Sequence, residues 1–300
     1  MLSLGLDIGS SSVKGAVIDL ESGATVASDF FPREEMTISA PHPGWAEQDP
    51  EYWWQCVQQV THALLKGGRV APGEIGAIGI SYQMHGLVIV DRSGKPLRPS
   101  IIWCDSRAVE IGERAFRSIG EEYCLTHLLN SPGNFTASKL RWVKENEPDI
   151  YSRIAHVLLP GDFIALRLTN EATTTVTGLS EGIFWNFAGK KLDQRLLETY
   201  GIDERLLSTV VPAMGIQGHL TREAAALLGL RQGIPVAYRA GDQPNNAFSL
   251  NVLNPGEVAA TAGTSGVVYG VSDRTTSDPQ SRVNLFAHVN YTADVSRLGI

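Results

Sequence analysis

The chain has 300 residues, 43% of them hydrophobic and 19% charged, with a formal net charge of −7. That is enough apolar material to bury a large core, which excludes a disordered chain and fits one large domain plus part of another. The acidic balance and the lack of Lys or Arg runs exclude nucleic acid or an anionic membrane held on a basic patch, and leave small anions held by backbone donors.

Three cysteines, Cys56, Cys104 and Cys124, show no CxxC spacing. They indicate neither a disulfide framework nor a zinc knuckle and fit a reducing compartment. No charged-then-apolar leader precedes the first strand and no apolar run is long enough to span a bilayer, so the expectation is a soluble cytoplasmic protein.

The first strand is read from Leu4, Leu6 and Ile8, which alternate with Gly5 and Asp7; Val13, Gly15 and Val17 repeat the rhythm, giving a β-hairpin. Its turn, within DIGSSSVK, holds Gly9, Ser10 and Ser11. Either this is an ordinary serine-rich hairpin, or successive N–H groups and hydroxyls cradle a phosphate, with Asp7 holding a hydrated Mg²⁺. Asp49 and Pro50 form a cap and first helical residue, and Trp53, Val57, Val60 and Leu64 fall on one face of the helix that follows.

Strands are expected at Ile75 to Ser81 and Gly86 to Asp91, joined by a short link containing Gln83, Met84 and His85. His85 is either a satisfied loop residue or, beside Gln83 and Met84, a hydrogen-bonding contact with an apolar wall for a polyol. In WCDSR, Asp105 and Arg107 either edge a cleft or pair with each other at a helix start. No histidine spacing suggests bound zinc. Helices are expected at Val109 to Ile119, Ala137 to Asn146, Leu192 to Tyr200 and Arg222 to Leu228.

The strand VAYRAG runs into Asp242, and Pro244 suits a first helical turn. A carboxylate there is either an N-cap or a proton acceptor at the carboxyl end of a strand, where α/β sheets bind ligands; the helix N-terminus favours its ionised form. Turn-rich Asn251 to Glu257 is the best domain boundary. Beyond it, EVAATAGTSGVVYGV forms a second hairpin whose turn, Gly263, Thr264 and Ser265, aligns with Gly9, Ser10 and Ser11. The pair implies a duplicated fold offering two phosphate loops to one cleft.

DIGSSSVK, HPGWAEQDPEYWW, QMHGLVIVD, WCDSR, AGDQ and AGTSG follow one another in the order found in the FGGY carbohydrate kinases. The chain resembles that family over essentially its whole length, and QMHG looks most like the xylulokinase subgroup. The resemblance implies an α/β fold of the actin-like, ribonuclease-H-like ATPase type, with residues 1–252 as a sugar-binding domain and 253–300 as the start of a nucleotide-binding domain. It implies ATP and Mg²⁺ as cofactors, a small sugar as partner, transfer of the γ-phosphoryl group to a terminal hydroxyl, most simply of D-xylulose, and room for a homodimer.

Position by position, Asp242 matches the family's catalytic base, Met84 and His85 its sugar-contacting pair, Gly9 to Ser11 and Gly263 to Ser265 its phosphate loops, and Asp7 its metal neighbour. Two departures stand out. Gln243-Pro244 after the base is closer to glycerol kinases, and no glycine-rich adenosine loop is present before the chain stops at Ile300 inside an apparent strand. The expectation is therefore a truncated second domain. Kinases of other pentuloses or polyols, and a non-catalytic sugar-binding module, are the alternatives.

Overall fold

The structure, a computed structural model, describes residues 1–262, 266–292 and 297–299. The alternating residues form β1 (Leu2–Ile8) and β2 (Val13–Asp19), paired antiparallel from Leu2↔Asp19 to Ile8↔Val13. Leu4, Leu6, Ile8, Val13 and Val17 are all buried, as period-two patterning requires of one covered face. β3 (Thr25–Phe31) continues the meander beside β2.

Helix α1 (Pro50–Lys66) starts where its cap residues place it: the Asp49 carboxylate accepts from the Glu51 N–H at 2.9 Å, and Pro50 occupies the first turn. Trp53, Val57, Val60 and Leu64 are buried, and the helix lies across β2 and β3. The approach is close because β2 carries Gly15. A Cβ there would collide with Val60 and stand 3.0 Å from Leu64 Cδ1.

The next strands of the main sheet are β4 (Ile75–Tyr82), parallel to β1, and β6 (Val236–Gly241), parallel to β4. Between them run the short β5 (Val88–Val90), α2 (Val109–Ile119), α3 (Thr136–Asn146), α4 (Pro160–Thr169), α5 (Val176–Glu181), α6 (Gln194–Tyr200) and α7 (Arg222–Leu228). The sheet order is β6-β4-β1-β2-β3, an antiparallel meander extended by two parallel strands, which is the ribonuclease-H-like arrangement. Helices α1, α4 and α7 cover one face. A second apolar cluster gathers α2, α3 and α6 around Met84 and Leu87.

Helix α6 begins two residues later than periodicity indicates. Asp193 caps it by accepting from the Leu196 N–H at 2.8 Å, and Leu192 pairs instead in a short ladder with Trp185. Likewise β5 is shorter than the apolar run Gly86 to Asp91; it leaves the main sheet and pairs with His156–Leu158.

After β6 comes α8 (Asp242–Ser249), then the antiparallel hairpin β7 (Val258–Ala262) and β8 (Gly266–Ser272), whose turn lies outside the described residues. The chain also returns to the first body: Asn130 exchanges hydrogen bonds with the Leu285 backbone at 2.6 and 3.0 Å, and Ala287 N–H donates to Ser180 Oγ at 2.9 Å. Among the described residues no helix is long and apolar enough to cross a membrane, and Cys56, Cys104 and Cys124 are free thiols.

The contact of α1 with β2 is directly testable. Gly15→Val should lower the unfolding free energy by about 1–3 kcal/mol in urea titrations, as overpacking of a tight core does. Gly67→Ala, at a helix end where a Cβ meets nothing within 4 Å, should change it by no more than about 0.5 kcal/mol.

Candidate active site

Parallel pairing sets Ile8, Tyr82 and Gly241 side by side, so the segments leaving β1, β4 and β6 emerge at one edge of the sheet. These segments carry Asp7 to Ser11, Gln83 to His85, and Asp242. The structure therefore brings together the residues that the sequence indicated in its first 252 positions. Gly263, Thr264 and Ser265 lie outside the described residues.

The first loop closes on itself, with the Gly9 N–H donating to the Ser12 carbonyl at 3.1 Å. Its neighbours brace the rest. Gln48 Nε2 donates to the Ser10 carbonyl at 2.6 Å, Trp103 Nε1 to Ser10 Oγ at 3.3 Å, and the Met36 N–H to the Ser11 carbonyl at 2.8 Å. Ser11 stays exposed at the tip. Such a small, fixed, partly open turn suits a phosphate group.

Asp7, beside this loop, sits across β2 from Lys14, whose Nζ lies 3.4 Å from Asp7 Oδ2. Among the described residues no group of three or more His, Cys, Asp or Glu side chains converges. A cation here meets the partly exposed Asp7 carboxylate, shared with Lys14, with a second carboxylate, Asp242, close by. That donor set fits Mg²⁺, which keeps most of its own water. A concavity of about 640 Å³ adjoins Asp7 and is lined by Lys14, Phe30, Ser81, Tyr238 and Asn245, but not by Met84, His85 or Asp242.

Asp242 is the first residue of α8, not its cap; the Gly241 backbone takes that position. Burial, with the Asp7 charge adding to it, raises the Asp242 carboxyl to about 6, although hydrogen bonds from Gln243 act in the other direction. This corrects the expectation from the helix N-terminus: desolvation and a like charge outweigh the favourable dipole.

Gln83 ties the second segment to the first. Its N–H donates to the Ile8 carbonyl at 2.9 Å and its Nε2 to Gln48 Oε1 at 3.2 Å, while its own Oε1 is buried without a partner. Met84 packs under Gly241, where a Cβ would meet Met84 Cγ at 2.5 Å and Glu181 Oε2 at 2.7 Å. Glycine is thus required immediately before Asp242.

His85 adopts the left-handed conformation with φ 62°, uncommon for a residue with a side chain. Its Nδ1 lies 3.0 Å from the Glu181 carbonyl, which can only accept, so Nδ1 carries the proton and Nε2 is the acceptor. The ring stands edge-on to Phe135, centroids 4.8 Å apart, and against Phe286 at 5.2 Å. Burial, and then the Lys139 charge, hold its pKa down at about 3. The imidazole is neutral at physiological pH.

In WCDSR, Asp105 and Arg107 pair with each other and not at a cleft edge: Arg107 Nη2 lies 2.7 Å from Asp105 Oδ2, and Arg107 Nη1 lies 2.7 Å from Glu47, while Trp103 reaches the Gly9 to Ser12 turn. The guanidinium also stacks 3.8 Å from the Trp45 ring.

Three further residues escaped the sequence reading: Gln48, which links Ser10, Gln83 and Trp53; Lys139; and Glu181. Gln48 stands in GWAEQDP just before α1, where a polar residue beside a helix cap reads as a cap accessory. Glu181 is fully buried, and burial, with no cationic partner of its own, pushes its carboxyl well above the usual range. Nothing in LSEG signals that.

Residues 2–249 match the FGGY family of carbohydrate kinases, N-terminal domain. The chain is 33% identical over 285 residues to xylulose kinase of Escherichia coli (strain K12), covering 95% of this chain and 57% of that protein. It is 32% identical over 273 residues to a probable L-xylulose kinase of Haemophilus influenzae, covering 90% and 55%. The solved xylulose kinase from Rhodospirillum rubrum superposes with a TM-score of 0.89 at 29% identity, covering 100% of this chain and 59% of that one. The chain thus spans less than two-thirds of the length of each of these relatives. With the sheet order, the site geometry and the matched residues agreeing, the chain belongs to the FGGY family of carbohydrate kinases.

Proposed function

We propose that the protein is an ATP-dependent carbohydrate kinase of the cytoplasm that transfers the γ-phosphoryl group of MgATP to a terminal hydroxyl of a ketose, D-xylulose in particular. The observation that carries this reading is the convergence of Asp242, Asp7 and the Gly9 to Ser12 turn at one sheet edge, where burial and the Asp7 charge raise the Asp242 carboxyl to about 6. A proton acceptor works best when its pKa lies near the operating pH, and a binding module has no use for a desolvated carboxylate set beside a second one. The relatives named xylulose kinases support the choice of sugar, as does the QMHG segment.

In this reading the sugar lies between His85 and Asp242. Nε2 of the neutral His85 ring accepts from one hydroxyl, Met84 supplies the apolar wall, and Asp242 orients the terminal hydroxyl and takes its proton as the bond to phosphorus forms. Gly9 to Ser11 and Gly263 to Ser265 hold the phosphates, with residues 1–252 as the sugar domain and 253–300 opening the nucleotide domain. Asp7 would hold Mg²⁺ through water, and the ion, when bound, neutralises charge on the transferring phosphoryl group. ADP release measured across ketoses and polyols should give the highest kcat/KM with D-xylulose. A higher value for glycerol or gluconate would overturn the choice of sugar, and sugar binding without any turnover would favour a binding module.

Four results follow from the geometry. Asp242→Asn should lower kcat by roughly 10²–10⁴-fold with a much smaller change in sugar Kd. Because the carboxyl must be ionised to act, kcat/KM of the unaltered protein should fall about tenfold per pH unit below about 6, a limb the variant lacks.

Stability moves in the opposite sense. A carboxyl raised on folding destabilises once the pH exceeds its unfolded value near 4, so Asp242→Asn should raise the melting temperature at pH 7.5 and leave it nearly unchanged at pH 3.5. Equal shifts at the two pH values would show that the carboxyl does not titrate as the geometry requires. His85→Ala should weaken D-xylulose binding by about 1–3 kcal/mol in calorimetry, the worth of a desolvated polar contact. An unchanged Kd would remove His85 from the site.

A further inference from the structure

Lys139, in α3, has no exposed surface. Its Nζ donates to the His85 carbonyl at 2.9 Å and to the Ile102 carbonyl at 2.9 Å. A single ammonium thereby joins the backbone of the Gln83 to Gly86 loop to the start of the turn that carries Trp103. Neither carbonyl belongs to a helix or to a paired strand; the Ile102 carbonyl also accepts the Asp105 N–H at 3.2 Å, within the turn.

The Asp105 carboxylate favours this charge without forming an ion pair with it. Asp105 receives the Arg107 guanidinium through Nε at 2.9 and 3.0 Å and through Nη2 at 2.7 Å, and also accepts the Ala46 N–H at 2.6 Å. Lys139 rests instead on carbonyl dipoles, an arrangement that costs stability compared with an apolar side chain of similar volume. What it secures is one strained backbone position. His85 keeps its left-handed conformation only because its surroundings over-determine it: Glu181 at Nδ1, Phe135 and Phe286 around the ring, and Lys139 at the carbonyl.

We propose that Lys139 is a positioning residue for the sugar site, its ammonium cross-linking the His85 and Ile102 carbonyls so that the His85 ring is held where a sugar hydroxyl meets it, and that this hold loosens when the ammonium loses its proton. The sugar part rests on the assignment of His85 made above; the tie itself does not. Asp105 favours the charged lysine, Arg107 opposes it, and His85 beside it is neutral. Burial is the largest influence and holds Lys139 down at about 7, so the tie is strong at pH 6 and weak at pH 9.

The ¹⁵N spectrum of the His85 ring, recorded without ligand, reports the tie directly, and calorimetry with D-xylulose reports its consequence. The unaltered protein should show the single Nδ1–H tautomer at pH 6 and tautomer mixing at pH 9, with sugar Kd rising about tenfold between them. K139M should show mixing and a weakened Kd at both pH values, whereas K139R, charged throughout, should restore the Nδ1–H tautomer at pH 9.

A K139M protein with normal melting temperature and an unchanged His85 spectrum would overturn the proposal. If K139M does not fold, the pH series of the unaltered protein decides, and a His85 spectrum constant from pH 6 to 9 would overturn it. Failure of every ketose to bind would count against the sugar reading alone, because the His85 spectrum still tests the tie.

Discussion

The structure depends on the parallel pairing of three strands, Leu2–Ile8, Ile75–Tyr82 and Val236–Gly241. Parallel strands cannot be joined by a tight turn, so the chain must leave each one at the same edge and cross a face of the sheet before starting the next. That geometry alone collects residues separated by more than 200 positions, Asp7 and Asp242, at one place. The antiparallel hairpin of the first two strands then presents its turn at the same edge, with the Gly9 to Ser12 turn beside the carboxylates.

Behind that edge the protein buries more charge than a purely structural core needs. Arg239 is fully buried with Nε 3.0 Å from Asp162 and Nη2 3.0 Å from the Thr173 carbonyl. Glu181 has no cation of its own, and both Asp162 and Asp242 push its carboxyl upward in addition to burial. Isolated carboxylates out of water favour the protonated form, and that is the direction in which Glu181 is driven. The same desolvation acts at Asp242, where the charge of Asp7 adds to it.

In the proposed reaction, phosphoryl transfer would draw on this same economy of charge. A site that keeps Asp242 neither fully ionised nor permanently protonated sets two carboxylates where an Mg²⁺ and a sugar hydroxyl would be used together, at a cost in stability to the unliganded protein. The sugar side proposed above is built differently, from a neutral imidazole fixed by aromatic edges, the Glu181 carbonyl and the buried Lys139 ammonium.

What the sequence determined by itself is whatever depends on near neighbours in the chain. Leu4, Leu6 and Ile8 place the first strand, Asp49 and Pro50 start the first helix, and a strand running into Asp242 puts a carboxylate at a sheet edge, because alternation, capping and turn chemistry act within a few residues. The ordered motifs likewise carried the family. Tertiary structure alone decided the electrostatics and the fine positioning: the helix start after Gly241 suggested an ionised Asp242, yet burial and Asp7 raise it, and His85 is held neutral by burial and then Lys139, and left-handed among Glu181, Lys139 and Phe286, which arrive from 54 to 201 residues away. Desolvation and Coulomb interaction depend on distance in space, and Gln48 between Ser10 and Gln83, like Lys139 between His85 and Ile102, acquires its role only when the folded sheet sets those carbonyls and amides within hydrogen-bond reach.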